Sequence, residues 1–428
     1  MERNDPKYQA YVRILKEELV PASGCTEPIA VAYCAAKARA LLGAVPEYVL
    51  VQVSGNIIKN AKSVVVPNTG GLTGIGAAAA AGIVFGDENA ALEVISSVTP
   101  GQKKALRGFL VGTPVTVSLL EDGEALDILV TLLAGEHTAR ARLSGSHTNI
   151  VLLERDGTVL FEHGMKTQSP EAAPDADRGL LTIRDIVDFA DTVDLGDVYQ
   201  VIERQIEYNC AIAEEGLRGD WGANIGSVIL KSFGNDIKNR ARAKAAAGSD
   251  ARMSGCDLPV IINSGSGNQG ITVSVPVVEY ARELGASEDK LCRALVLSNL
   301  AAIHQKSGMG RLSAYCGAVS AGCGAGCGIA YLNGGGLEEI SHTLVNALAI
   351  ASGIVCDGAK PSCAAKIALA VDAGILGWQM FMMGQQFYGG EGLVSKGVEN
   401  TLRNISRLGA DGMRETDREI IKIMSEAN

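Results

Sequence analysis

TPVTVSLLE (113–121), LDILVTLLAG (126–135), HTARARLSG (137–145), HTNIVLLER (147–155) and TVLFEH (158–163) are five β-rich runs in one stretch of chain. Asp122-Gly123, Gly135-Glu136, Gly145-Ser146 and Asp156-Gly157 punctuate them. Short β-branched runs joined by Gly- and Asp-containing turns read as an antiparallel meander. The flanks read differently. Residues 7–20 have the pattern of an amphipathic helix ending near Pro21. Thr26 is the expected N-cap of a second helix, with Pro28 in its first turn, running to a stop at Gly43. EYVLVQVS (47–54) reads as a strand, GNIIKNAKSV (55–64) as a short helix and TGIGAAAAAGIVF (73–85) as a buried helix. Residues 166–180 are Pro/Asp-rich and read as an exposed loop. From about residue 197 the pattern is helical to the end. The fold class is therefore α+β. A mainly α-helical domain forms from both termini (1–89 with 196–428). An inserted α/β domain at 90–195 holds an antiparallel sheet packed on helices from 88–111 and 182–193. No fixed-period repeat is visible.

At 428 residues the chain is too long for one ordinary core. Aromatics are 4% while Gly is 51 residues, so the core is built from small and aliphatic side chains that let helices approach closely. Net charge is −10 and no basic run occurs, which argues against nucleic acid as a partner. The N-terminal MERNDPKYQAYVRILKEEL lacks the apolar core of a signal peptide. Leu312–Leu337 is uncharged, but more than half of it is Gly, Ser, Ala and Cys, whose lipid transfer energy is weak. A cytoplasmic protein with no membrane partner, assembled as a homodimer, is the expectation.

Ten cysteines in such a chain are not a disulfide scaffold. Cys34, Cys210 and Cys292 sit in helix-like sequence without Gly or Pro neighbours and read as small core hydrophobes. Six cysteines lie between Cys292 and Cys363, and clustered cytosolic thiols point to metal or catalysis. Five Gly/Ser/Asn/Cys-rich stretches stand out between apolar helices: PASGCTEP (21–28), SGNIIKN (54–60) with PNTGG (67–71), NSGSGNQG (263–270), HQKSGMGRLSAYCGAVSAGCGAGCG (304–328) and CDGAKPSC (356–363). Cys316, Cys356 and Cys363, from two separate loops, can bind a cluster and leave one iron open as a Lewis acid. Cys323 and Cys327 are equally visible, so spacing alone does not choose among the thiols. Neither a ferredoxin run nor a paired zinc pattern occurs. Iron–sulfur, zinc and purely structural roles all stay open on spacing.

Cys25 lies at the mouth of a helix, where the helix dipole lowers a thiol's pKa and makes a thiolate base; Glu27 pulls the other way. An ordinary cysteine beside a capped helix is the plain alternative. NSGSGNQG offers successive N–H groups to a carboxylate or phosphate, or is a simple turn. It resembles the Ser-Gly-Asn loop of PLP-dependent β-eliminating enzymes, which also need a Schiff-base lysine; Lys238 is the only candidate. Lys306 and Arg311 can neutralise a substrate carboxylate, or they are a solvated helix end. Of the histidines only His304 falls in a candidate loop.

SGCTEP, SGNIIKNA, PNTG, SGSGNQG, CGAVSAGCGAGCG and CDGAKPSCAAK together resemble the serine dehydratase α-subunit-like family, in the family's order and over nearly the whole chain. The L-cysteine desulfidase branch is the most similar. The resemblance implies an oxygen-sensitive [4Fe-4S] cluster on Cys316, Cys356 and Cys363, no PLP, and Cys25 as catalytic base. It implies substrate contacts from Ser54, Asn56, Asn60, Asn68, Thr69, Ser264, Ser266, Asn268 and Gln269, to which Lys306 is added, and gives Cys323 and Cys327 no role. The inserted region resembles the β-domain of bacterial serine dehydratases. The implied reaction is PLP-independent α,β-elimination on a small L-amino acid, L-cysteine giving pyruvate, ammonia and sulfide. L-serine dehydration, a PLP-dependent lyase and a non-catalytic amino-acid sensor are the alternatives.

Overall fold

The computed structural model describes residues 1–121, 123–163, 176–310 and 312–426. Asp122 of the first turn, Arg311, and the 166–180 loop as far as residue 175 lie outside the described residues.

α1 (Pro6–Glu18) starts on Asp5, whose carboxylate accepts the Lys7 N–H at 2.8 Å, with Pro6 in the first turn. β1 (Pro21–Ser23) leads into α2 (Thr26–Leu42). Cys25, not Thr26, is the N-cap of α2, and Gly43 ends it at φ 74° as expected. Next come β2 (Tyr48–Val53), α3 (Gly55–Ala61), α4 (Gly74–Phe85) and α5 (Pro100–Gly112). The β-rich stretch forms β3 (Val115–Leu119), β4 (Asp127–Ala134), β5 (His137–Ser144), β6 (Ile150–Arg155) and β7 (Thr158–Glu162). The rest is helical apart from one short strand: α6 (Ile183–Thr192), α7 (Tyr199–Arg218), α8 (Ile225–Phe233), α9 (Ile237–Met253), β8 (Pro259–Ile261), α10 (Gly267–Leu284), α11 (Glu288–Ser307), α12 (Gly317–Leu332), α13 (Leu337–Ala351), α14 (Cys363–Met382), α15 (Val398–Arg407) and α16 (Arg414–Glu426).

The α+β class is the observed one, but the sheet is mixed. Its order is β3-β2-β4-β5-β6-β7. β4 to β7 form the expected antiparallel meander. β3 does not pair with β4, because β2 lies between them, parallel to β3 and antiparallel to β4. The alternation of β2 explains this placement: Val49, Val51 and Val53 are fully buried, each contributing about 1.5–3 kcal/mol. A sheet strand thus comes from upstream of residue 90. α2 covers one face of β4, β5 and β6, and its Cys34 thiol donates to the Ala141 carbonyl at 3.2 Å. The opposite face carries the Arg142–Asp127 fork and the Arg140–Glu154 pair. The helices expected on the sheet pack elsewhere: α5 lies on α4, and α6 lies on α11.

α12 realises the uncharged Leu312–Leu337 stretch as a helix buried from Ala318 to Leu332. Small residues let it approach α14 closely. A Cβ on Gly326 would stand 2.6 Å from the Gly374 carbonyl, so the two helices could not pack this way with larger residues there. By length and composition α14 is apolar enough to cross a membrane; it packs against α9, α12 and α13. β1 pairs antiparallel with β8, Pro21 opposite Ile261, which sets SGCTEP beside NSGSGNQG.

Candidate active site

A cavity of about 100 Å³ lies where the sheet-side elements meet the helical body. One side supplies Cys25, Thr26 and Glu27 from the start of α2, Asn60 from α3, and His147 from the β5–β6 connection. The other supplies Arg252, the Ser264–Gln269 segment, Lys306, Tyr315 and Cys316, and the Cys356–Cys363 loop. α2, α10, α12 and α14 all begin at this cavity, and none has its N-terminus closed by a capping side chain. Open helix N-termini present N–H groups and partial positive charge, a setting for anions.

Backbone pairing places two thiols side by side. The Cys356 N–H donates to Ala314 at 2.6 Å, the Cys316 N–H donates to Ile354 at 3.1 Å, and Tyr315 bridges Val355. Cys363 opens α14, and its thiol donates to the Gly358 carbonyl at 3.5 Å. Gly358 has φ 95°, and a Cβ there would stand 2.2 Å from the Lys59 carbonyl, so α3 presses the loop into place. All three thiols are free and half-buried. Burial and then the neighbouring Cys356 push Cys316 up to about 12, and burial raises Cys363. Burial pulls the Lys306 ammonium down, with Cys356 and Cys316 pulling it back up. Among the described residues no three His, Cys, Asp or Glu side chains converge on one metal-ion position. Three soft donors spread over one wall suit an iron–sulfur cluster, whose thiolates bind different irons, better than a lone zinc. Cys323 and Cys327 are fully buried inside α12 and line no part of the cavity. The Cys327 thiol faces the Ile340 carbonyl at 3.9 Å.

Cys25 is only 3% exposed, and its thiol donates to Glu27 Oε2 at 3.2 Å. The Thr26 hydroxyl donates to the same oxygen at 3.0 Å, and Asn60 Nδ2 donates to Oε1 at 3.2 Å. His147 Nε2 stands 3.9 Å from Oε1, beyond hydrogen-bond reach but within ion-pair range. The expected lowering of the Cys25 thiol by the helix start is reversed. Burial, then the Glu27 charge, push it well above its ordinary value, and nearby Arg252 offsets only part. Burial would raise Glu27 too, but His147 and the Cys25 thiol hold it below the usual carboxylate range. At rest, then, a protonated thiol faces an ionised carboxylate.

Arg252 is buried, and its Nη1 donates to Asn268 Oδ1 at 3.1 Å. A Cβ on Gly267 would meet Arg252 Nε at 2.3 Å, so this glycine is the space the guanidinium occupies. Arg252 Nε and Nη2, Gln269 Oε1 and the Tyr315 hydroxyl are buried without protein partners.

Of the expected site residues, Cys25, Asn60, Ser264, Ser266, Asn268, Gln269, Lys306, Cys316, Cys356 and Cys363 meet at this cavity. Ser54, Asn56, Asn68 and Thr69 do not. Ser54 donates to the Ala125 carbonyl at 2.9 Å and, with Asn56, borders a neighbouring depression. Thr69 closes its own turn on the Val66 carbonyl at 2.6 Å, and Asn68 Nδ2 reaches Ile95 at 3.0 Å. Pro67 of the same loop packs against Gly24, so this segment braces the Cys25 loop. His304 pairs with Glu399 at 2.8 Å and Lys238 with Asp372 at 2.9 Å. Neither lines the cavity, which removes the candidate Schiff-base lysine from it. His147, Arg252 and Tyr315 went unrecognised in the sequence. The available signal was the Ala-Gly run 245–248, which marks α9 as buried up to Arg252.

The candidate site is thus a thiol-lined cavity bordered by helix N-termini, at the seam of a mixed sheet and a helical body. Residues 89–422 match the family described as serine dehydratase alpha chain, and this chain belongs to that family. It is similar over nearly its whole length to proteins named UPF0597. The Desulfitobacterium hafniense protein is 58% identical over 424 residues, 99% of this chain and 98% of its own. The Treponema denticola protein is 47% identical over 429 residues, 99% of each chain. The Bacteroides fragilis protein is 39% identical over 420 residues, 97% of each.

Proposed function

We propose that this protein catalyses PLP-independent α,β-elimination on a small L-amino acid, with L-cysteine as the first substrate and a [4Fe-4S] cluster on Cys316, Cys356 and Cys363. The observation that carries the reading is the meeting of three free thiols with Cys25 on one cavity of about 100 Å³. Membership of the serine dehydratase alpha-chain family supports a lyase of this type. When bound, the cluster supplies an open iron acting as a Lewis acid.

The chain's own groups do the rest. Open helix N-termini and the Ser264–Gln269 segment favour an anionic substrate. The small volume suits a small amino acid rather than a bulky one. Glu27 Oε2, already accepting the Cys25 thiol proton, takes it and frees Sγ as a base. Sγ then removes the Cα proton. The Cβ–S bond breaks with its electron pair on sulfur, and the sulfur leaves as sulfide. The aminoacrylate that remains adds water to give pyruvate and ammonia. Lys306, beside Cys316 and Cys356, offsets thiolate charge.

L-serine dehydration is the second reading, favoured by the name of the family. Anaerobic purification with iron and sulfide quantified, then L-cysteine and L-serine in parallel with pyruvate detection, tests both. About four irons per chain with pyruvate release are expected. Reconstituted protein without iron, and without product from either amino acid, overturns the elimination.

A further inference from the structure

Arg252, one residue from the end of α9, is 2% exposed, yet only one of its nitrogens has a partner. Nε and Nη2 are buried and unsatisfied. These two nitrogens form the side-on edge of the guanidinium, whose parallel N–H groups match the two oxygens of a carboxylate. No acidic side chain serves Arg252 among the described residues. Asp250, two residues away, accepts the Ile225 N–H at 2.7 Å and the Ala223 N–H at 3.4 Å. Glu27, in the same cavity, is occupied by Cys25, Thr26 and Asn60. A buried cation left without an anion is costly, and an unsatisfied buried donor pair calls for a ligand. Asn268 holds the fork through Nη1, and Gly267 leaves room for it. Both lie in the NSGSGNQG segment, so the segment's Gly and Asn serve the arginine as well as any backbone cradle.

We propose that Arg252 receives the substrate's α-carboxylate, taking both oxygens on its Nε–Nη2 edge. The identity of the substrate rests on the elimination reading; the carboxylate requirement does not. Arg252 and Cys25 line the same cavity. A carboxylate on the open edge leaves Cα, one bond away, inside the cavity that Cys25 borders. The site takes free amino acids and rejects amides, esters and peptide-linked residues, which offer no anionic fork.

The test is calorimetric titration of anaerobically reconstituted protein with L-alanine, which has no leaving group, and with L-alaninamide, which has no carboxylate. Wild type should bind L-alanine and discriminate against the amide. Arg252→Gln should weaken L-alanine by about 10- to 100-fold while leaving the amide unchanged, since a charged hydrogen-bonded pair is lost. Arg252→Lys, which keeps the charge but not the fork, should fall between. Undiminished L-alanine binding in Arg252→Gln, or equal losses for both ligands, overturns the assignment; so does a wild type that does not distinguish the two. Arg252-dependent L-alanine binding without pyruvate from L-cysteine or L-serine upholds the carboxylate receptor and refutes the elimination reading alone.

Discussion

Glu27→Gln separates the proton-handling role of Glu27 from its structural one. In the wild type Oε2 accepts from the Cys25 thiol at 3.2 Å and the Thr26 hydroxyl at 3.0 Å, while Oε1 accepts from Asn60 Nδ2 at 3.2 Å. Glutamine keeps the shape but turns one acceptor into a donor. If the amide nitrogen replaces Oε2, two donors face a donor; if it replaces Oε1, Asn60 does. Hydrogen bonds to a charged group are worth about 1.5–3 kcal/mol each, and the thiol and hydroxyl can rotate, so a folding loss of about 2–4 kcal/mol is expected at pH 7. The loss should depend on pH in a defined direction. Glu27 is held down to about 2, because His147 and the Cys25 thiol outweigh burial, so its ionised form favours the folded state. That stability is fully present above the unfolded carboxylate value of about 4.3 and is lost as pH falls toward about 2, where mutant and wild type converge. Denaturant unfolding at pH 7 and pH 3 reads this. Losing the acceptor for the Cys25 proton should lower kcat by about 10²- to 10⁴-fold. A variant that turns over within about threefold of wild type while showing the stability loss refutes Glu27 as proton acceptor.

Further outcomes follow from the same geometry. Cys356→Ala should abolish stoichiometric iron after anaerobic reconstitution, whereas Cys323→Ala should keep it and lose about 1–2 kcal/mol of stability to a small cavity. Cys25→Ser should retain iron and still perturb the cluster absorption on substrate addition, with elimination reduced by orders of magnitude in a pyruvate assay. Gly358→Ala puts a Cβ against the Lys59 carbonyl at φ 95°; a drop of about 2–4 kcal/mol in unfolding free energy and faster cluster loss in air are expected. Asp417→Ala strands the Lys59 ammonium, buried at the α3–α16 contact, and should cost about 3–5 kcal/mol, while the Lys59→Met, Asp417→Leu double variant should recover most of it in thermal melts.

The sequence announces strands 4 to 7 because each is a short β-rich run and Gly-containing turns separate them. It conceals the true neighbour of the 115–119 strand, since a parallel partner far upstream leaves no local mark. The thiols that meet at the cavity could be named from the motifs, but choosing them over Cys323 and Cys327 needed burial, which spacing does not encode. The net direction of the Cys25 titration is not legible in the sequence, because the helix start and Glu27 are local and opposed, whereas burial, the largest cause, is tertiary. His147 hides in a hairpin connection and Arg252 in a helix with four other Lys and Arg residues, both patterns that normally face solvent. Asn68 and Thr69 sit outside the cavity, their side chains bonded to the backbone of their own loop and of Ile95, a tertiary placement that the PNTG motif does not encode.

The pairing of β1 with β8 has a consequence for how a newly made chain acquires its site. Everything from the second strand to the seventh, with the helix that covers them, leaves the ribosome early, and domains generally fold as units, N-terminal first. Cys25, however, sits just beyond Ser23, whose partner Pro259 is synthesised more than half a chain later. Until then the PASGCTEP segment has no strand to dock on. Cys316, Cys356 and Cys363 emerge later still, once that latch can close and while Cys34 is already pinned under the sheet. In order of translation, then, the Cys25 loop waits undocked beside a sheet that can already form, and the three cavity thiols are the last parts of the site to arrive.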